Sequence, residues 1–230
     1  MFFRQLFDRE SSSYTYLIAD LSTHEAILID PVFAQVERDL QLIAELKLSL
    51  KYCLETHIHA DRITGTGELR ERTGCLGIVP IDAKAECADR FIEHHETVKL
   101  GSTKIEAIAT LGHTDSHMAY LVNRKLVLTG DALLIRGCGR TDFQNGDPAL
   151  LYDSVTSRLF TLPDETLVYP AHDYRGRTVS TIGEEKRWNP RFRQNNRQDF
   201  VNLMNNLDLD YPRKMMEAIP ANQGCGKLSR

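Results

Sequence analysis

Four short motifs rich in histidine and aspartate constrain the fold most, because each follows an apolar run typical of a buried β-strand. They read THIHAD (56–61), LGHT (111–114), TGDA (129–132) and PAHDY (170–174). Polar residues at strand ends and in loops often form functional sites. The pattern therefore favours layered α and β structure, with helices covering sheets and strand ends carrying the chemistry.

The runs between these motifs predict regular elements. Val36, Leu40 and Ile43 recur at helical spacing. Asp147 and the proline after it fit an N-cap followed by the first helical position. We expect one domain over residues 1–230. Strands are predicted at 14–19, 26–29, 50–54, 76–79, 118–122, 125–128 and 166–169, β-type alternation at 98–109, and helices at 32–46, 68–72, 81–88, 147–159 and 198–207, with a capping box at Thr181 and Glu184.

Composition excludes several classes of protein. The chain has 230 residues, of which 42% are apolar, and a formal net charge of −4 with both signs interspersed. A nucleic-acid-binding protein would need a basic stripe, and a membrane protein would need an apolar run of about 20 residues. The N-terminal segment lacks the apolar stretch of a signal peptide. We therefore predict a cytoplasmic protein that binds neither nucleic acid nor membrane.

The five cysteines are an odd number at scattered positions, which argues against a disulfide framework. No CxxC motif is present, so a zinc site built from thiolates is not expected. We predict reduced, mostly inert thiols. Cys138 is the exception, since a thiol in the pocket is the alternative there.

The motifs carry the ligand types of a metal site, since imidazole and carboxylate suit first-row divalent metals. In an extended stretch His57 and His59 share a face, and a turn brings Asp61 round to it. A single histidine near a strand end is more often a hydrogen-bonded structural residue, and His117 stays undecided for that reason. All four motifs together, in this order, favour a metal centre.

In this order the motifs resemble the metallo-β-lactamase superfamily, whose pattern HxHxDH precedes a single His, a single Asp and a final His. That resemblance implies an α/β fold, the αβ/βα four-layer sandwich with two facing mixed β-sheets flanked by helices. The stretches TGDALLIRGCGRTDFQNGD (129–147) and TLVYPAHDYRGRTVSTIGEEKRWNPR (166–191), and the tail IPANQGCG, resemble the ETHE1-type persulfide dioxygenases more narrowly.

This narrower resemblance implies oxidation of glutathione persulfide by O2 and water to sulfite and glutathione, at one Fe(II) per chain. The family's iron ligands correspond to His57, His113 and Asp131. Two histidines and one carboxylate form a facial triad, which leaves positions open on the iron for substrate and O2. A homodimer is a family-level expectation. The positions that belong to the pocket around the iron are His59, Asp61 and His172.

Two positions depart from the family pattern. Arg62 stands where the superfamily, and usually the ETHE1-type family as well, has a histidine, which binds a second metal in dinuclear members. An arginine stays protonated and does not ligate metals, and its charge repels a second cation. We therefore expect one metal per chain and leave open an altered substrate placement. The second departure is Asp115-Ser116-His117, where the family usually has Pro and Gly after GHT.

Three further residues carry alternative interpretations. Arg140 either binds an anionic substrate or pairs with a nearby carboxylate. Cys138 is either a pocket thiol or a buried, inert one. The hydroxyl of Tyr174 either hydrogen-bonds a bound ligand, as we favour, or the ring merely packs.

Competing functions also remain open. A glyoxalase II-type hydrolase that cleaves hydroxyacylglutathione thioesters belongs to the same superfamily. It would use bound metal to generate hydroxide, and its two-metal site would need a histidine in place of Arg62. A non-catalytic persulfide-binding module is the third possibility, against which the complete set of ligand residues counts.

Overall fold

The computed structural model describes residues 1–193, 196–212 and 214–227. Its first sheet has six strands in sequence order, β1 to β6. The first three strands pair antiparallel, and β3 to β6 pair parallel, so the sheet is mixed. The strands are β1 (Phe2–Asp8), β2 (Ser13–Asp20), β3 (Glu25–Ile29), β4 (Ser49–Leu54), β5 (Leu76–Pro80) and β6 (Arg90–Ile92).

The second sheet also has six strands, in the order β12-β11-β10-β9-β8-β7. Strands β8, β9 and β10 pair antiparallel, whereas β10 and β11 pair parallel. The predicted hairpin is confirmed, and Asn123 and Arg124 form its turn with positive φ angles of 49° and 56°. The strands are β7 (Thr97–Leu100), β8 (Thr103–Ala109), β9 (Met118–Val122), β10 (Leu126–Gly130), β11 (Leu167–Pro170) and β12 (Ser180–Thr181).

Two helices start where capping residues predict them. Asp147 accepts hydrogen bonds from the N–H groups of Ala149 and Leu150, and Thr181 Oγ1 accepts one from Glu184. No helix among the described residues combines the length and apolar character needed to cross a bilayer. The helices are α1 (Val36–Glu45), α2 (Thr66–Thr73), α3 (Pro148–Ser154), α4 (Ile182–Trp188), α5 (Arg197–Asn205) and α6 (Met215–Gln223), with a π-helical turn at Val155–Leu159 after α3.

The chain divides into two compact units. The first contains Met1–Ile92, Thr97–Lys104 and the C-terminal segment from Tyr211, and the second contains Glu93–Glu96 and Ile105–Asp210. Each unit buries an apolar cluster of its own, in which aliphatic strand residues meet the inner faces of its helices. The expectation of one domain over residues 1–230 stays a prediction.

Some predicted elements are wrong or were missed. The helix expected at 81–88 is only a 3-10 turn at Ile81–Ala83, because Lys84 adopts a left-handed conformation with φ 51° and ends it. Strands β1, β6 and β12 and helix α6 were not predicted. Helix α6 contains Pro220, which obscures its helical pattern in the sequence.

The prediction of reduced thiols is wrong for two of the five cysteines. Cys87 and Cys225 form a disulfide in the first unit. They lie 138 residues apart, so spacing along the chain carries no signal of the pairing. Cys53, Cys75 and Cys138 are free thiols, as predicted.

Candidate metal centre

In the first unit, strand β4 ends at Leu54 and leads directly into the first histidine motif. The side chain of Thr56 lies between His57 and Asp30, with Oγ1 2.9 Å from His57 Nδ1 and 2.8 Å from Asp30 Oδ2. Because the Thr56 hydroxyl donates to Asp30, the Nδ1–H of His57 donates to that hydroxyl. This tautomer leaves Nε2 of His57 as the atom suited to a metal.

A buried polar cluster surrounds His59. Its Nε2 lies 3.2 Å from Asp30 Oδ1 and 3.5 Å from Glu55 Oε2. Burial and the charge of Arg62 lower the pKa of His59, but the carboxylates of Asp30 and Glu55 outweigh them and raise it above its usual value. Thr64 and Thr66 donate their hydroxyls to Glu55 Oε1. The two carboxylates therefore stabilise a positive charge on His59 and hold its ring in place.

Arg62 is only 2% exposed and belongs to this cluster. Its Nη2 lies 3.4 Å from His59 Nε2, and its Nη1 lies 3.6 Å from Asp61 Oδ2. Burial opposes ionisation of Asp30, yet His59, Arg62 and the hydrogen bonds it accepts hold its pKa below the usual value. The guanidinium thus supplies a fixed positive charge beside His59 and Asp61.

In the second unit, three predicted site residues lie together. His113 Nδ1 donates to the carbonyl oxygen of Arg140 at 2.7 Å, which leaves its Nε2 3.4 Å from Asp131 Oδ2. The other carboxylate oxygen, Oδ1, accepts a hydrogen bond from His172 Nδ1 at 2.7 Å. Gly139 allows this close approach, since an added Cβ would lie 2.7 Å from both His113 Nδ1 and the Asp131 carbonyl oxygen. One imidazole nitrogen and one carboxylate oxygen thereby lie close enough to bind the same metal ion.

His117, which the sequence left undecided, is fully buried and contacts this group. The backbone N–H of Asp131 donates to His117 Nε2 at 3.0 Å, and His117 Nδ1 lies 2.8 Å from Thr110 Oγ1. Since Nε2 accepts, the ring proton is on Nδ1 and points at Thr110. His117 is therefore a neutral support for the backbone that carries Asp131.

The structure places Arg140 in the second of its two predicted settings. Its guanidinium makes two 2.7 Å hydrogen bonds to Asp142 and lies over the ring of Phe143. Its hydrogen bond holds the pKa of Asp142 below the usual value. Binding of an anionic substrate by Arg140 stays a prediction.

Cys138 and Tyr174 lie in contrasting surroundings. Burial raises the pKa of Cys138 to about 12, and its Sγ lies 3.7 Å from Met204 Sδ beside the apolar cluster of the second unit. These contacts favour the inert alternative, and substrate binding by Cys138 stays a prediction.

Tyr174 is 72% exposed and stacks on His172, with ring centroids 6.0 Å apart. The side chain is thus largely exposed, and the role of its hydroxyl also stays a prediction.

Several residues of the site went unnoticed in the sequence. Asp30 and Glu55 support His59, and Asn222 hydrogen-bonds the backbone of the same loop. Asp30 and Glu55 do follow strand ends, which was a usable signal. Asn222 lies in the tail IPANQGCG that carries the family resemblance, but its contact with a loop about 160 residues away had no local signal.

This chain resembles known proteins of one superfamily. Residues 8–172 match the model of the metallo-beta-lactamase superfamily. Mouse mitochondrial persulfide dioxygenase ETHE1 is 47% identical over 97% of this chain and 88% of its own length. The crystal structure of ETHE1 from Myxococcus xanthus is 54% identical, covers 99% of this chain and all of its own, and superposes with a TM-score of 0.96. A hydroxyacylglutathione hydrolase from Dictyostelium discoideum is more distant, at 30% identity over 70% of this chain and 62% of its own.

The predicted fold class is confirmed. Two mixed six-stranded sheets with flanking helices match the fold of these relatives. The fold and the histidine and aspartate side chains described above also support a metal cofactor. In His57 and in His113 the Nδ1 atom makes a hydrogen bond within the protein. The Nε2 atom of each ring is therefore the one suited to bind a metal.

Proposed function

The chain belongs to the metallo-β-lactamase superfamily, and from that premise we propose that it is a persulfide dioxygenase. The similarity to mouse ETHE1 carries the proposal, because it extends over 97% of this chain rather than over the metal motifs alone. Hydroxyacylglutathione hydrolases are similar over a shorter part of the chain and at lower identity. We take the substrate to be glutathione persulfide, which O2 and water convert to sulfite and glutathione.

The metal we propose is one Fe(II) per chain, with His57, His113 and Asp131 as its ligands. Each histidine has its Nδ1 engaged by a hydrogen-bond partner, so the Nε2 atoms are the expected donors. Asp131 has one oxygen engaged by His172, so Oδ2 is the expected donor. Two imidazoles and a carboxylate are the donor set of non-haem Fe(II) oxygenases. When bound, the iron supplies the redox chemistry between O2 and the terminal sulfur of the persulfide.

We assign the remaining site residues to binding the substrate or orienting the metal ligands. His172 fixes the carboxylate of Asp131 through one hydrogen bond. We assign His59 and Asp61 to the wall of the pocket, and we assign Arg62, which contacts both, to the binding of the persulfide anion. We assign to the hydroxyl of Tyr174, on a largely exposed side chain, a hydrogen bond to the bound ligand. Arg140 and Cys138 are the remaining predicted substrate contacts, of which Cys138 has the less favourable surroundings.

One experiment separates the proposed function from its alternatives. The protein is purified without oxygen, metal per chain is measured, and O2 uptake is followed after addition of glutathione persulfide. We expect about one iron per chain and O2 consumption that requires the persulfide. Two metals per chain with cleavage of a hydroxyacylglutathione thioester, and no O2 uptake, would establish the glyoxalase II-type alternative instead. Iron or persulfide binding without turnover of either substrate would indicate a binding module.

Two further predictions concern the setting of the enzyme. A homodimer remains our proposal, and sedimentation of the purified protein tests it. A cytoplasmic location is also a proposal. The mouse and human relatives are mitochondrial by name, so fractionation of the source cells is the measurement that decides it.

A further inference from the structure

Asn222, on helix α6 near the C-terminus, hydrogen-bonds the backbone of the loop that carries the first histidine motif. Its Nδ2 donates to the carbonyl oxygens of His59 and Arg62, both at 2.8 Å. Its Oδ1 accepts from the N–H of Thr64, also at 2.8 Å. The side chain is 3% exposed, and about 160 residues of sequence separate it from its partners. One buried amide thus connects three points of the loop.

Only an asparagine satisfies these three groups at this length. The amide supplies two N–H donors and a carbonyl acceptor on a short side chain. An aspartate keeps the acceptor for Thr64 but has no donor for the two carbonyl groups. An alanine leaves all three backbone groups buried without this partner, which is costly.

The tail that carries Asn222 is seated tightly against the same segment. The N–H of Gly67 donates to the carbonyl oxygen of Cys225 at 2.9 Å. A Cβ added to Gly67 would collide with that oxygen, and one added to Gly226 would collide with the carbonyl oxygen of Thr64. The disulfide from Cys225 to Cys87 fixes the tail a second time. Asn222 therefore sits on a rigid support.

We propose that Asn222 is a positioning residue for the metal centre, acting through the backbone of residues 59–64. By holding two carbonyl groups and one N–H of the loop, it fixes the path of the chain between His57 and Thr64. The direction of the His57 and His59 side chains follows from that path. The inference rests on the proposed function in one respect, the assignment of His57 as an iron ligand.

Two readouts test this role in the full-length protein. The first is Fe(II) affinity, measured without oxygen by competition with a chromophoric chelator. The second is hydrogen exchange of the Thr64 amide in metal-free protein, with the Asp30 amide, which donates to Leu54, as internal reference. The variants are Asn222→Ala and Asn222→Ser, both of which shorten the side chain without placing a charge against the two carbonyl groups.

A matched control separates positioning from general loss of stability. Asp20 is a buried side chain of the same unit that accepts hydrogen bonds from the N–H groups of Ser22 and Ser102. Asp20→Ala also removes a clamp between two segments, but its partners lie outside residues 56–67. We expect it to lower Tm while Fe(II) affinity stays within about twofold of the wild type.

For both Asn222 variants we expect Fe(II) to bind about tenfold or more weakly, the usual effect of losing a residue that orients a ligand. The Thr64 amide should exchange faster in Asn222→Ala, and the Asp30 amide should not. Wild-type Fe(II) affinity in both variants would overturn the proposal. If the wild type itself binds no Fe(II), the proposed function fails. Thr64 exchange then still decides whether Asn222 holds the loop, since unchanged exchange excludes it.

Discussion

The Nδ1 atom of His172 lies 2.7 Å from one carboxylate oxygen of Asp131, and the other oxygen lies 3.4 Å from Nε2 of His113. The two oxygens of Asp131 therefore have different roles. One is fixed by an N–H donor, and the other is left to share a cation with an imidazole. A hydrogen bond to an ionised carboxylate is short and strong, so His172 sets the orientation of the whole group.

His172 should therefore control metal affinity without being a ligand. We expect His172→Ala to bind Fe(II) roughly 10–100-fold more weakly, as for other residues that orient a ligand. His172→Asn, whose amide N–H lies close to the position of Nδ1, should retain most of the affinity. Chelator competition in the absence of oxygen measures both.

Two controls bracket this result. Asp131→Ala removes the proposed ligand and should lose iron and turnover together. Asp164→Ala removes an exposed carboxylate of the same unit that pairs with Lys186, and should bind iron like the wild type. Equal affinity in the wild type and His172→Ala would show that the hydrogen bond does not orient Asp131.

His117 supports the same carboxylate from the backbone side. Its Nε2 accepts the N–H of Asp131, so His117→Leu leaves a buried N–H without this partner, at a cost of about 1–3 kcal/mol. His117→Gln carries an acceptor at a similar reach. We expect the Leu variant to lower both Tm and Fe(II) affinity, and the Gln variant to recover part of each.

Thermal unfolding and chelator competition measure these effects. Should the Leu and Gln variants lose Fe(II) affinity to the same extent, the acceptor role of Nε2 would be wrong, and His117 would act by packing alone.

Local signals account for the elements that the sequence predicted. The turn at Asn123 and Arg124 and the cap at Asp147 each depend on a few neighbouring residues, and both were found. The disulfide of Cys87 and Cys225 depends on chain segments 138 residues apart, and it was missed. The false helix at 81–88 ends for a local reason, the left-handed Lys84, that residue type alone does not indicate.

The site follows the same division. The histidine and aspartate residues after strand ends could be predicted, because strand periodicity and ligand chemistry both depend on residues that are close in the sequence. The partners that orient them could not. His117 and Asn222 act through hydrogen bonds to backbone groups 14 and about 160 residues away, and no sequence pattern encodes those distances.

Arg62 should limit the metal content of the chain. Its buried guanidinium lies within 3.6 Å of Asp61, and a cation in that place repels a second divalent ion. Arg62→His removes the fixed charge and supplies a ligand, so we expect more than one metal per chain in excess Fe(II). Arg62→Lys keeps a cation and should hold one. Metal analysis after anaerobic dialysis gives the ratio, and the same ratio in all three proteins would refute the exclusion.

Asp39 should make the protein less stable as the pH rises. This carboxyl group is 1% exposed on helix α1, and burial raises its pKa from 3.8 to about 6, against the attraction of Arg38. The folded protein then holds the proton of Asp39 more tightly than the unfolded chain does. The contribution of this group to stability is therefore fully present below about pH 4 and is lost as the pH rises to 6. The loss amounts to roughly 2–3 kcal/mol.

Asp39→Asn keeps the shape of the side chain and cannot ionise, which makes the sign of this effect measurable. We expect the variant to be more stable than the wild type at pH 8 and equally stable near pH 4, as judged by urea unfolding at both values. Asp82→Asn, at an exposed carboxylate of the same unit, is the control and should change little at either pH. If the wild type is more stable than Asp39→Asn at pH 8, the ionised carboxylate stabilises the folded protein. The attraction of Arg38 would then outweigh the cost of burying the charge.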